Sequence, residues 1–116
     1  MQTVLYVTRL DLGSEVAVRQ AHDAFPLAAL ERGIGVERLV AFIGSGQYAM
    51  AITVSDGDFQ ENFHRFLAAP EVQRLFDALR PHVHDLPTPT EHTADMPLLT
   101  AMLLWQRDVR HDPTTV

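Results

Sequence analysis

His22 and Asp23, side by side late in a helical stretch, and Arg38, set among the apolar residues of a strand, are the side chains best suited to chemistry in this chain. Imidazole gains and loses a proton near neutrality, so His22 fits general acid-base work on carbon or oxygen. A guanidinium at Arg38 could hold a carboxylate or stabilise an oxyanion as it forms. All nine basic residues are Arg and the chain has neither Lys nor Cys, which removes Schiff bases, thiolate nucleophiles and thiolate-bound metals. His82, His84 and Asp85 have metal-ligand side chains, but at i, i+2 spacing in extended chain with no third His fixed nearby, so no metal site is read there.

Each of these residues also has a plainer reading. Asp23 points about 100° around a helix from His22, so the two cannot be assumed to bond each other, and a half-buried His beside a solvated Asp is an ordinary arrangement. Arg38 could pair with Glu31, Glu37 or an acid of a second subunit. Tyr6, Tyr48, Met50 and Trp105 on strands, with Phe63 and Phe66 on a helix, would either line an aromatic pocket or pack as core. His64, His92 and His111 read as solvated.

The elements that position these residues centre on a hairpin. Val36 to Phe42 and Tyr48 to Val54 are rich in β-branched, aromatic and small apolar residues, and Gly44-Ser45-Gly46 supplies the positive φ of a tight reversal. Strict alternation puts Val36, Arg38, Val40 and Phe42 on one face with Tyr48, Met50, Ile52 and Val54. Leu39, Ala41 and Ile43 then share the other with Ala49, Ala51 and Thr53. Both faces are largely apolar, which predicts helices on one side and a second subunit on the other.

Thr3 to Leu10 reads as a first strand. A helix follows from Ser14, with Asp11 and Ser14 as caps, and runs to Phe25, where Pro26 breaks it; Pro26 to Leu30 forms a short further turn ending near Gly33. After the acidic turn Ser55 to Asp58, Phe59, Phe63, Phe66 and Leu67 make an aromatic helical stripe. Pro70 restarts the helix, and Val72, Leu75, Phe76 and Leu79 continue the buried face to Pro81. Residues 82 to 97 read as a long loop, and Leu98 to Trp105 as a final strand. The order β-α-β-β-α-β is the ferredoxin-like, α+β plan with one four-stranded antiparallel sheet, spanning residues 1–107 as a single domain before a polar tail at 108–116. The break at Pro26 predicts a cavity on the helix side of the sheet, lined by His22, Arg38, Tyr48, Phe63 and Trp105, within the roughly 300–1,000 Å³ of small-molecule sites.

At 116 residues with net charge −6 and scattered basic groups, the chain is not expected to bind nucleic acid or an anionic membrane. No apolar run nears the roughly 20 residues of a membrane span, and the N-terminal stretch lacks a leader pattern, so the expectation is a cytoplasmic protein.

In order and spacing, four features resemble the tetracenomycin F2-type polyketide cyclases over roughly residues 3 to 82. They are His22-Asp23, Ile34-Gly35-Val36 followed by Arg38, Tyr48 with an acidic turn after its strand, and Pro70 with Phe76. The resemblance implies a homodimeric α/β barrel that cyclises or aromatises a polyketide intermediate in antibiotic biosynthesis. It implies lyase-type acid-base chemistry with no cofactor, and possible contact with polyketide synthase components. His22, Asp23 and Arg38 would be catalytic, and Tyr6, Tyr48, Met50, Phe63, Phe66 and Trp105 would bind substrate. Where the family aligns a further Arg and a His, this chain has Leu39 and Met50. Two other readings therefore stay open: a cofactor-free monooxygenase of polycyclic phenols, and a non-catalytic polyketide-binding subunit.

Overall fold

The computed structural model describes residues 2–88, 96 and 98–100. Their elements run β1 (Gln2–Arg9), α1 (Glu15–Asp23), α2 (Ala28–Arg32), β2 (Val36–Gly44), β3 (Gln47–Val54), α3 (Phe59–Ala68), α4 (Pro70–Leu79) and β4 (Leu98–Thr100). The strands form one antiparallel sheet in the order β2-β3-β1-β4, the ferredoxin-like arrangement expected from the element order. Trp105 and the rest of the expected last strand lie outside the described residues, as does most of the loop from residue 89 onward.

Local chemistry accounts for the element ends. Ser45 and Gly46 both take positive φ between β2 and β3, as a two-residue turn matching the strand twist requires. Gly33, at φ 85°, stops α2. The Asp58 carboxylate accepts from the Glu61 N–H at 2.9 Å and caps α3, and Pro70 occupies the first turn of α4, where its missing N–H costs nothing. Ser14 departs from expectation. It stands at the N-cap of α1, but its hydroxyl does not cap the helix and instead bonds Nδ1 of His82 at 2.7 Å. Together with the Leu10 to Val83 bridge, that bond ties the start of the long loop to the end of β1.

The core lies between the sheet and α3 with α4. Val4, Tyr6, Met50, Ile52 and Val54 point inward from the sheet and meet Phe63, Phe66, Leu67, Val72, Phe76 and Leu79. Each such side chain contributes about 1.5–3 kcal/mol by leaving water. Gly35 makes the tightest approach: a β-carbon there would sit 2.1 Å from the Asn62 carbonyl oxygen, so α3 can lie on the head of β2 only because this residue has no side chain.

The register of β2 corrects the predicted faces. Val36 pairs with Val54, but Arg38 pairs with Thr53 and Leu39 with Ile52, so the ladder slips by one residue at Glu37. A strand alternates with period two, and a one-residue bulge therefore exchanges every later side chain between faces. Leu39, Ala41 and Ile43 turn to the helix side with Ile52, Met50 and Tyr48. Arg38, Val40 and Phe42 turn to the outer side with Thr53, Ala51 and Ala49, joined by Thr3, Leu5 and Val7 from β1. Leu39 and Ala41 are thus not on the face available to a second subunit. That face instead exposes Val7, Phe42 and Leu99 at 39%, 57% and 60%.

Candidate functional site

His22 lies in the last turn of α1, on the side facing the sheet, and is half-buried. Its Nδ1 is 2.8 Å from the Val18 carbonyl oxygen, which can only accept, so the proton of the neutral ring sits on Nδ1. Nε2 is then an acceptor, and the Tyr48 hydroxyl donates to it at 2.7 Å. The two rings are tilted by 47° with centroids 5.5 Å apart. Burial, and secondarily the charge that Tyr6 would carry, pushes the Tyr48 phenol well above the usual range, so Tyr48 keeps its proton and serves as a neutral donor.

The partner of His22 is therefore Tyr48 and not Asp23. Asp23 ends α1 on the exposed side, and both nitrogens of the His22 ring are taken by other groups. Tyr6 packs edge-on against Tyr48 with ring centroids 6.2 Å apart, and its hydroxyl donates to the His84 carbonyl. Burial raises its phenol to about 12, against a hydrogen bond from Thr8 that lowers it, with the Asp85 charge adding to the rise. Tyr6 accordingly holds β1 to the loop and is not among the residues lining the cavity beside His22.

That cavity has a volume of about 190 Å³. His22 and Phe25 contribute from α1 and the residues after it, Leu27 from the N-cap of α2 and Leu30 from α2 itself, Leu39 and Ala41 from β2, Met50 from β3 and Leu75 from α4. It lies on the helix side of the sheet, as the break at Pro26 predicts, but it is smaller than expected and its lining differs. Arg38 is on the opposite face of the sheet, carried there by the bulge at Glu37. Phe63 and Phe66 are completely buried in an aromatic run with Phe59 and Phe76, away from the cavity. Met50 does line it, and Trp105 lies outside the described residues.

Chemically, this is an apolar chamber with one imidazole in its wall, backed by a phenol. An apolar surround strengthens a hydrogen bond made at that ring and disfavours a lasting charge on it. His82 and His84 are bound to Ser14 and Asp11, at 2.7 and 2.9 Å, and the described residues hold no cluster of three or more His, Asp or Glu arranged for a metal.

Sequence reasoning missed Leu39 and Ala41 as lining residues, and with them Phe25, Leu75 and the two leucines at and just inside the start of α2. The signal for the first two is in the chain: Glu37 and Arg38 are consecutive charged residues between Val36 and Leu39, and two polar residues in a row are what a bulge at a strand head looks like. The α2 contribution has no comparable local signature.

No protein-family model and no curated protein matches this chain. Among solved structures it is similar to the tetracenomycin F2 cyclase of Streptomyces glaucescens, a type-II polyketide cyclase, with a TM-score of 0.64 and 22% sequence identity. The match covers 90% of this chain and 97% of that one, and at this identity the likeness is one of fold. No helix of the described residues is long and apolar enough to cross a membrane.

Proposed function

We propose that the chain, sharing its fold with a type-II polyketide cyclase, is an enzyme that closes or aromatises a ring on a polyketide-like substrate by acid-base catalysis with its own side chains. The observation that carries this reading is the His22 ring, held in one tautomer by Val18 and Tyr48 in the wall of an apolar cavity. In an aldol closure, a C–H between two carbonyls gives up its proton and the resulting enolate carbon attacks a ketone. The new alkoxide takes a proton, and loss of water completes the aromatic ring.

Both ring nitrogens are occupied, so His22 receives a substrate proton in one of two ways. The substrate displaces the Tyr48 hydroxyl, or Tyr48 passes its own proton to Nε2 while accepting another at oxygen. Stabilisation of the alkoxide falls to the same pair, because Arg38 faces the other side of the sheet.

Arg38 also favours a second reading, a non-catalytic subunit that holds a polycyclic phenol. Among the described residues the cavity presents one ionisable side chain, and a binder needs no more. Incubation with a partly cyclised polyketide, followed by mass spectrometry, separates the possibilities. Loss of water above the spontaneous rate supports the cyclase, gain of oxygen an oxygenase, and a product distribution equal to the uncatalysed one sinks both. If His22→Ala abolishes turnover but keeps ligand affinity, a pure binder is excluded.

The proposal extends to a homodimer joined through the outer face. Phe42, Val7 and Leu99 are exposed there beside Leu5, Val40, Ala49 and Ala51. A contiguous apolar patch above a few hundred Å² is more than monomers ordinarily leave in water.

A further inference from the structure

Two apolar cavities meet at the same two side chains. Beside the His22 cavity lies a second of about 180 Å³, between the end of α1 and α4, and Phe25 and Leu75 line both. Neither alone reaches the roughly 300 Å³ of sites for drug-sized ligands, whereas the two joined would pass it.

The two shared residues are held very differently. Leu75 is buried in the middle of α4. That helix is pinned to α2 by a two-bond pair, Arg32 to Glu71, at 2.5 and 2.9 Å. Phe25 follows the C-cap of α1, Ala24, and precedes Pro26, so it belongs to no helix; its N–H reaches the His22 carbonyl at 3.0 Å. Its ring is half-buried and packs against the core from the edge. Turning that ring breaks no helical hydrogen bond.

Resting on the reading that the His22 cavity holds the ligand, we propose that Phe25 is the partition between two compartments of one site and determines substrate size. A compact two-ring compound fits beside His22 alone. A longer fused or partly folded polycycle displaces the Phe25 ring and extends into the compartment bounded by Ala21, Ala24 and Ala78, whose wall also carries Glu71 and Arg74. The three alanines add little bulk to its wall, which leaves room for a further ring.

The test measures dissociation constants of naphthol and of a linear three-ring dihydroxyanthraquinone by fluorescence titration, independently of turnover. Filling the far compartment with Ala78→Phe, at an exposed helix position, is expected to weaken the three-ring probe by at least about tenfold and change naphthol by less than about twofold. Phe25→Ala is expected to tighten the three-ring probe by about fivefold or more. Thermal unfolding of each variant confirms that it folds, and Ala21→Leu gives a second way to fill the compartment. Ala41→Trp, which fills the His22 cavity, reports on the underlying reading. If it weakens both probes while the far-compartment variants and Phe25→Ala move neither, the partition is wrong and the site stands. If Ala41→Trp moves neither probe, or neither binds the wild type, both fall.

Discussion

The Tyr48 hydroxyl donates to Nε2 of His22 at 2.7 Å while Nδ1 of the same ring donates to the Val18 carbonyl at 2.8 Å, so one imidazole is fixed from both sides. Removing the phenol oxygen tests what that arrangement does. Tyr48→Phe should cost about 1–2 kcal/mol of stability, since it leaves a half-buried acceptor without its donor. If the pair moves protons, turnover should fall by about ten- to a hundredfold with KM nearly unchanged. A variant that unfolds earlier but turns over normally would assign Tyr48 to packing.

The tyrosines also predict an alkaline limit. The chain has two, and burial raises both, Tyr6 to about 12 from 10.0. A folded pKa above the unfolded one stabilises the fold fully below pH 10 and loses that contribution as pH rises through about 12. Tyrosinate absorbance should therefore stay absent in folded protein at pH 10 and appear together with loss of far-ultraviolet circular dichroism. Smooth titration near 10 with the fold intact would show that at least one ring is open to water.

At acid pH the corresponding group is Glu71. The Arg32 hydrogen bond first, then its own backbone amide and the charges of Arg32 and Arg74, lower its carboxyl from 4.5 to about 2. This contribution is present above pH 4.5 and disappears as pH falls towards 2. Unfolding temperatures of wild type and Glu71→Gln should differ most near neutrality and converge across that window. Parallel curves would mean the clamp between α2 and α4 adds nothing.

The bulge at Glu37 makes the assembly prediction specific. Val40→Asp or Phe42→Asp should dissociate a dimer formed through the outer face, because like charges would be desolvated near the symmetry axis. Ala41→Asp, one residue away but on the helix side, should leave the assembly intact. Sedimentation velocity distinguishes them, and a monomeric wild type would remove the dimer altogether.

Gly35→Ala should destabilise by about 2–5 kcal/mol, through positive φ and the clash with Asn62. A loss under about 0.5 kcal/mol would show that α3 readily moves off β2.

What the chain decides by itself is local. Ser45-Gly46 takes the φ values of a tight hairpin, Pro26 ends α1 just beyond His22, Pro70 restarts the second helical region, and the apolar periods mark which helix faces are buried. These follow from backbone sterics and spacing within a few residues, so element order and the ferredoxin-like plan were legible. Tertiary structure decided which side of the sheet each β2 residue faces, because one unpaired residue at Glu37 reverses a period of two and only the paired strand fixes where it falls. It also decided that His22 bonds Tyr48, 26 residues away, and not its neighbour Asp23. The cavity, likewise, is a gap left where α1, α2 and α4 meet β2 and β3, and no single segment carries the shape of a gap.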